Sequence, residues 1–232
     1  MTQWEAPLKP AELAENRLVE AILDGTFPIN SSLPPERELA EQLGVTRPTL
    51  REVLQRLNRD GWLEIHHGKS TRVRDYWLEG NLMILGTIAR HQSHTPATFV
   101  LNLLEIRLLL APTYARLAVE NENARVIEFL EYLLTLPDEA EVYAENDLKL
   151  HLLLTQLSGN PIFTLIFNGF NELYRATGQV YFASPAGRAS SRKFYTDLLV
   201  AAQDKDHAKA ESIVRQVMQE SIYLWNQATS EK

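Results

Sequence analysis

The sequence predicts a mainly α-helical protein, with an N-terminal winged helix-turn-helix and small β-hairpin, followed by an antiparallel all-α bundle of about seven helices. In residues 33–62, apolar side chains recur at helical spacing in two short runs separated by a glycine, and an alternating segment follows. From residue 81 onward the periodicity is helical, without a strand pattern. We therefore expect two domains, 1–75 and 81–232, joined by a linker at 76–80.

Three helices are predicted in the N-terminal domain. The second and third meet at Gly44, which supplies a sharp turn. Pro34 and Pro35 open the second helix. Thr46 is a suitable N-cap for the third, and Pro48 falls in its first turn, where a missing N–H costs little. The positions that we expect to be buried are Leu13, Leu18, Ala21 and Ile22 in the first helix, Leu39, Ala40 and Leu43 in the second, and Leu50, Val53, Leu54 and Leu57 in the third.

The third helix has a polar face suited to a recognition helix. Arg47 and Arg51 lie one turn apart, opposite the apolar stripe, with Thr46 and Thr49 beside them. Arginine can form a bidentate pair with guanine, and threonine can bond a phosphate or touch a thymine methyl group. The alternative is a solvated arginine-rich face.

The segment after the third helix predicts a β-hairpin. Residues 62–74 alternate around Gly68, and the tip at His66, His67, Gly68 and Lys69 is polar and basic. A hairpin next to a recognition helix is typical of a wing.

The C-terminal half predicts long helices. The longest are expected at 95–119 and 207–227. Breaks are expected at 91–95, 121–123, 137–138, 159–161, 183–187 and 204–206. Such a bundle can enclose a small-molecule pocket between its helices.

Net charge argues at first against a nucleic-acid partner. The formal net charge is −7 at pH 7, whereas DNA binding relies on basic residues that displace counterions from phosphates. Locally the balance reverses, because residues 44–74 contain seven basic and three acidic residues, a net charge of +4. A basic edge on an acidic body favours a DNA-binding surface of limited extent.

Composition argues against other classes of protein. The chain has no cysteine, which excludes disulfides and thiolate sites. No apolar run approaches the roughly 20 residues of a membrane span, and the first residues lack a signal-peptide core, so we expect a soluble, cytoplasmic protein. The six histidines are scattered, and no glycine-rich phosphate loop occurs, so an enzyme is not expected.

One long motif resembles a known family. Residues 33–73, LPPERELAEQLGVTRPTLREVLQRLNRDGWLEIHHGKSTRV, are similar to the winged-helix domain of the GntR family of bacterial regulators. Within that family the motif resembles that of the fatty-acid-responsive FadR branch. The likeness continues through SGNPIF at residues 158–163 into the C-terminal half. The resemblance implies a transcription regulator that binds double-stranded DNA at a palindromic operator as a homodimer, without a membrane partner. It also suggests repression of fatty-acid breakdown and activation of unsaturated fatty-acid synthesis.

The resemblance assigns DNA contacts to two elements. The positions that match are Arg37, Thr46, Arg47, Thr49 and Arg51 around the recognition helix, and His67, Gly68 and Lys69 in the wing, which would enter the minor groove.

The resemblance also implies an effector, a long-chain acyl-CoA that binds in the helical bundle and releases the operator, and no resident cofactor. The matched positions are Arg107, Tyr181, Tyr195, Ser221 and Trp225, although several of these side chains could simply belong to the core. Where the FadR branch carries a glycine, this chain has Met218, whose side chain would occupy volume beside the ligand. The ligand could then be displaced, shortened or different.

A metal site is the alternative for the helical domain. Metal-binding relatives use an Asp-x-x-x-His pair and two later histidines, and Asp147 and His151 match that pair. The other two positions fall on Tyr195 and Met218, which do not complete a zinc or nickel sphere. We therefore expect no metal and a hydrogen-bonded Asp147–His151 pair. A GntR-type regulator that senses a small organic acid, with a metal at Asp147 and His151, stays open as the alternative.

Overall fold

The structure, a computed structural model, describes residues 9–66, 68–91 and 98–230, with side chains up to residue 227. The chain divides into two compact units, residues 1–94 and 95–232. Among the described residues, no helix is long and apolar enough to cross a membrane.

The described part of the first unit contains five helices and a two-stranded sheet. The helices are α1 (Pro10–Leu23), α2 (Glu36–Leu43), α3 (Arg47–Asp60), α4 (Tyr76–Glu79) and α5 (Met83–Arg90), and the strands are β1 (Leu63–Glu64) and β2 (Arg72–Val73). The strands are antiparallel, with Leu63 opposite Val73 and Glu64 opposite Arg72. An isolated bridge joins Ser32 to Arg72.

The helix-turn-helix forms where the sequence predicts it. Gly44 ends α2 in the left-handed conformation, with φ of 68°. Thr46 caps α3, because its hydroxyl oxygen accepts a hydrogen bond from the backbone N–H of Thr49 at 3.3 Å. The buried face of α3 consists of the four predicted residues, Leu50, Val53, Leu54 and Leu57. With the two short strands after α3, this confirms the winged helix-turn-helix.

Some predictions of burial in this unit are wrong, since Leu13 is exposed and Ala21 and Leu43 are only half-buried. Leu13 is 37% exposed, and α1 instead buries Ala14, Leu18, Val19 and Ile22. Leu13 lies five residues before Leu18, whereas Ala14, Leu18 and Ile22 are spaced by four and share one face. Pro35 is the N-cap of α2, so the proline pair stands at the start of this helix, as predicted.

Residues 76–80, the expected linker, include the single helical turn α4. Its Tyr76 is buried, and the Tyr76 ring centroid lies 4.8 Å from that of Trp62. This segment therefore packs within the first unit, which extends to residue 94.

The described part of the second unit is entirely helical. Its elements are α6 (Phe99–Leu134), α7 (Ala140–Leu157), α8 (Pro161–Gly169), α9 (Asn171–Ala183), α10 (Pro185–Gln203) and α11 (His207–Ser230). The largest buried cluster draws on α6, α7, α9, α10 and α11, so the core lies between these five helices. The predicted helical bundle is confirmed.

The predicted break at 121–123 is a kink within α6. Only Glu122 departs from helical backbone angles, with φ of −145° and ψ of 44°. The two neighbouring asparagines bond to other helices, since the Asn121 amide donates to the Ser158 carbonyl at 3.0 Å and the Asn123 amide to the Ala202 carbonyl at 3.5 Å. Sequence alone does not reveal these tertiary partners. The predicted break at 183–187 shrinks to Ser184, and that at 91–95 lies mostly outside the described residues.

Candidate functional site

The recognition helix α3 presents its N-terminal residues to solvent. Arg47 and Arg51 are exposed on the face opposite the buried stripe. Thr46 and Thr49 also bond to each other, with 2.9 Å between their hydroxyl oxygens. Arg37, one residue into α2, is exposed as well. These polar side chains therefore surround the start of α3, where a major-groove contact would form.

Arg51 has a protein partner that sequence reasoning missed. Its Nε donates to Glu36 Oε2 at 2.8 Å, and the two side chains are 68% and 43% exposed. Sequence spacing treats Glu36 as solvated, but the tight turn brings the start of α2 beside α3. The pair occupies Nε only, and the terminal guanidinium nitrogens make no hydrogen bond with described residues. The bond to Glu36 therefore orients the Arg51 side chain, and the two terminal nitrogens of its guanidinium could still pair with a base or a phosphate.

The hairpin tip has the expected composition. Gly68 adopts φ of 74°, and Lys69 and Ser70 are exposed beside it. Ser70 donates to the Ser32 hydroxyl at 2.9 Å, which fixes the base of the tip. His67 lies outside the described residues.

The basic edge is narrower than the local charge of +4 indicates. Most of the counted arginines are neutralised by carboxylates of the same unit, namely Arg56 by Glu52 and Glu15, Arg59 by Asp60, Arg72 by Glu64 and Glu79, and Arg74 by Glu79. Arg37, Arg47 and Lys69 make no ion pair with any described residue. The exposed positive charge is therefore concentrated at the start of α3 and the wing tip.

The second unit has a pocket between α6, α7, α9, α10 and α11, and its empty volume of about 500 Å³ includes space that is open to solvent. Its walls are mostly apolar or aromatic. The lining residues are Val100, Leu104, Arg107, Asp147, His151, Tyr174, Thr177, Gly178, Tyr181, Phe182, Ser191, Phe194, Val217, Met218, Ser221 and Trp225. A concave apolar cavity with a few convergent polar groups is the usual form of a small-molecule site.

Asp147 is the centre of a buried polar network at this pocket. Both of its carboxylate oxygens accept phenol hydrogen bonds, Oδ1 from Tyr195 at 2.8 Å and Oδ2 from Tyr174. Arg107 donates from Nη2 to the Tyr174 hydroxyl oxygen at 2.8 Å, and its guanidinium carbon lies 4.4 Å from the Tyr174 ring centroid. Burial raises the pKa of both phenols well above the usual value, and the neighbouring carboxylate adds to the shift. The network balances a carboxylate against a guanidinium through a neutral tyrosine.

His151 belongs to a separate hydrogen bond. Its Nδ1 lies 2.8 Å from the Tyr114 hydroxyl, and its Nε2 lies 3.9 Å from Asp147 Oδ2. That separation is too long for a hydrogen bond, so the predicted Asp147–His151 bond is wrong. Each residue is instead bonded to tyrosines contributed by other helices. Burial lowers the pKa of His151 to about 4, although the nearby Asp147 carboxylate opposes the shift.

The second unit should lose stability in acid through His151. Between pH 6.5 and about 4 the unfolded chain binds a proton at this imidazole and the folded chain does not, so the free energy of unfolding falls as pH falls. The slope contributed by one such group is at most about 1.4 kcal/mol per pH unit. Denaturant titrations across this pH range should show a shallower dependence in His151→Gln than in the original chain. The exposed His207→Gln is the control, and equal slopes in all three proteins would contradict the assignment.

The residues present do not suit a metal ion. Both oxygens of Asp147 and the Nδ1 of His151 are engaged by tyrosines. Of the two carried-over ligand positions, Tyr195 donates to Asp147, and Met218 is an apolar wall of the pocket. Among the described residues, no group of three or more His, Cys, Asp or Glu side chains could hold a metal.

Four of the five predicted effector residues meet at the pocket. Arg107, Tyr181, Ser221 and Trp225 line it, as does Met218. Tyr195 is buried behind the wall, where it donates to Asp147 and its ring centroid lies 5.5 Å from that of the lining residue Phe194.

Sequence reasoning missed Tyr174. It shares one face of α9 with Gly178 and Tyr181 at spacings of four and three residues, a signal that could have found it. Ser221 donates to the Val217 carbonyl of its own helix at 2.8 Å.

Comparisons with known proteins cover the same two parts of the chain. A family model described as bacterial regulatory proteins, gntR family, matches residues 10–73, and the model of the FadR C-terminal domain matches residues 74–231. The chain belongs to the FadR branch of the GntR family. GntR-family proteins are transcription regulators that bind DNA, and this member is therefore a DNA-binding regulator and not an enzyme.

Individual relatives of this GntR-family chain agree with that assignment. A fatty acid metabolism regulator protein from Shewanella sp. (strain MR-4) is 44% identical over 94% of this chain and 90% of its own length. The protein of the same name from Proteus mirabilis is 40% identical over 95% of this chain and 92% of its own length. A solved structure of Lar, which controls expression of the Listeria monocytogenes agr system, covers 96% of this chain and 99% of its own at a TM-score of 0.63. Because Lar is only 17% identical to this chain, its structure shows the fold alone.

Proposed function

We propose that this chain regulates fatty acid metabolism from the cytoplasm, and that long-chain acyl-CoA releases it from its operator. The relatives at 40–44% identity are named as regulators of that metabolism and match over nearly their whole length. The observation that supports the ligand is the lining of the pocket, in which apolar walls meet a half-buried arginine. An acyl-CoA combines a long apolar chain with a thioester carbonyl and phosphates, and each of these has a counterpart in such a lining.

On the DNA side, we assign base and phosphate contacts to the start of α3 and its surroundings. Arg47 and Arg51 suit bases in the major groove, since both are exposed one turn apart. Thr46 and Thr49 suit phosphates or thymine methyl groups, and Arg37 suits the backbone. In the wing the assigned residues are His67, Gly68 and Lys69.

One α3 with one wing contacts only half of a typical operator. We therefore infer that two copies of the chain bind a palindromic site as a homodimer, with twofold symmetry matching that of the DNA. Such a dimer carries two pockets, one in each second unit.

On the effector side, we assign contacts to Arg107, Tyr181, Ser221 and Trp225, which line the pocket. Tyr195 would act from behind the wall by holding Asp147. Arg107 is attached to the wall through one terminal nitrogen, and its buried Nε has no hydrogen-bond partner in the described residues. It therefore has donors to offer a carbonyl or phosphate oxygen. Met218 also lines the pocket, and its side chain occupies volume that a ligand would otherwise fill.

The coupling between pocket and operator needs only a modest free energy. An effector with about 1–3 kcal/mol of differential affinity for the released state weakens operator binding by about 5-fold to 150-fold. A ligand with equal affinity for both states would not switch the regulator at all.

The proposal is tested by operator titrations with and without ligand. A palindromic duplex is first selected from a random pool, and its affinity is then measured by fluorescence anisotropy. We expect oleoyl-CoA to weaken binding by about 5-fold to 150-fold, and coenzyme A alone to have no effect. Trp225→Ala is the control for detergent-like effects of the ligand, because it should bind the same duplex and lose the response. No heat of oleoyl-CoA binding, together with unchanged operator affinity, would refute the proposal.

A further inference from the structure

A second pocket adjoins the first in the C-terminal unit. This outer pocket lies where α9, the start of α10 and the end of α11 meet, and its empty volume of about 670 Å³ includes space that is open to solvent. The inner pocket is the one of about 500 Å³ described above. Tyr181 and Trp225 line both pockets, so their side chains form the partition between the two.

The Tyr181 ring is packed closely against the start of α10. A Cβ atom added to the buried Gly187 would lie 3.1 Å from Tyr181 Cε1 and 3.3 Å from Cδ1. It would lie only 2.6 Å from the Tyr181 carbonyl oxygen, closer than non-bonded atoms approach each other. The ring position therefore depends on the missing side chain at residue 187.

The corner between α9 and α10 cannot relax easily to admit a side chain. Only Ser184 separates the two helices, and its N–H donates to the Tyr181 carbonyl at 3.3 Å. Arg188 holds the corner from the other side, with Nη1 donating to the Phe182 carbonyl at 2.7 Å and Nε to Asp138 at 2.6 Å. Because the atom that an added methyl group would approach most closely is the Tyr181 carbonyl oxygen, the end of α9 must shift and carry the Tyr181 ring with it.

The Tyr181 side chain, with its hydroxyl group, lies at the partition between the two pockets. The hydroxyl is buried and makes no hydrogen bond of ordinary geometry with described residues. Burial raises the pKa of this phenol, and the nearby hydroxyls of Ser221 and Ser190 partly oppose the shift. The phenol is therefore neutral and can donate to a ligand carbonyl that crosses the partition.

We propose that Gly187 is a positioning residue for the effector: its lack of a side chain keeps the Tyr181 ring against α10, where Tyr181 and Trp225 bound the passage between the inner and outer pockets. A ligand with an apolar chain in the inner pocket and a polar part in the outer pocket passes between these two rings. This inference rests on the proposed function, because oleoyl-CoA is the ligand that tests it.

The test is a double-mutant cycle between Gly187→Ala and Tyr181→Ala, with oleoyl-CoA affinity measured by calorimetry. Each single variant should bind the ligand about 10-fold or more weakly, and the double variant should bind no more weakly than Tyr181→Ala alone, since Gly187 acts through that ring. Unfolding midpoints and ligand-free operator affinity report whether each variant is folded. Ala189→Ser, at an exposed site of the same helix, should match the original chain.

The outcomes separate the two proposals. If the original chain binds no oleoyl-CoA, the proposed function fails and the inference fails with it. If the original chain binds and Gly187→Ala binds equally, or if the two losses multiply, only the inference fails. Should Gly187→Ala not fold, Tyr181→Trp takes its place, because a larger ring has no room beside α10. It should lose affinity as Tyr181→Ala does, and affinity like that of the original chain would contradict the inference.

Discussion

Replacing Arg47 with alanine should weaken binding to a selected operator by about 1–3 kcal/mol, which is about 5-fold to 150-fold in affinity, without unfolding the protein. Arg47 is exposed at the start of α3 and makes no ion pair with described residues, so its guanidinium is available for a base. A bidentate arginine–guanine contact distinguishes one base from the others. Binding to unrelated DNA should therefore fall much less than binding to the operator.

The control for this variant is Arg59→Ala. Arg59 lies at the other end of the same helix and is paired with Asp60 at 2.9 Å, so its removal changes the net charge equally. We expect it to bind the operator almost as the original chain does. Anisotropy titrations of specific and unrelated duplexes at one salt concentration make the comparison. An equal loss in both variants, or a loss of equal size on both duplexes, would show that α3 is not the recognition helix.

Asp147→Ala should lower the free energy of unfolding of the second unit by about 3–5 kcal/mol, as is typical when one partner of a buried charged network is removed. The Asp147 carboxylate accepts from Tyr174 and Tyr195 and balances Arg107 through Tyr174. Without it, two buried phenols lose their acceptor and the half-buried Arg107 guanidinium loses its counter-charge. Oleoyl-CoA binding should weaken too, because Arg107 is no longer held at the pocket.

Asp197→Ala is the matched control for Asp147→Ala. Asp197 makes an exposed ion pair with Lys193 on the surface of α10, and such pairs contribute little to stability. Chemical denaturation of the three proteins at neutral pH measures the difference. If Asp147→Ala were as stable as Asp197→Ala, the polar network would have no structural role.

Much of the fold was predictable because its signals are local. Thr46 is followed by a proline two residues later and by apolar residues at helical spacing, and this determines where α3 begins and which face it buries. Gly44 marks the end of α2, because glycine adopts the left-handed conformation that the turn requires. Likeness to a family predicted four residues that do line the pocket, but their spacing alone would not distinguish them from core residues.

The hydrogen bonds at the candidate sites could not be predicted, because their partners are distant in sequence. Glu36 bonds to Arg51 across 15 residues, and Tyr114 bonds to His151 across 37. The Asp147–His151 spacing of four residues suggested a bond within α7, yet tyrosines from other helices occupy both side chains. Helical periodicity identifies a shared face but not which neighbouring helix supplies the partner.

The central claim, that pocket and operator are coupled, is tested most directly by measuring the affinity of oleoyl-CoA for the free protein and for the protein saturated with operator. Coupling between two binding sites is reciprocal. The operator-bound protein should therefore bind oleoyl-CoA more weakly, by the same factor that oleoyl-CoA weakens operator binding. Equal affinity of the free and operator-bound protein for oleoyl-CoA would contradict the account.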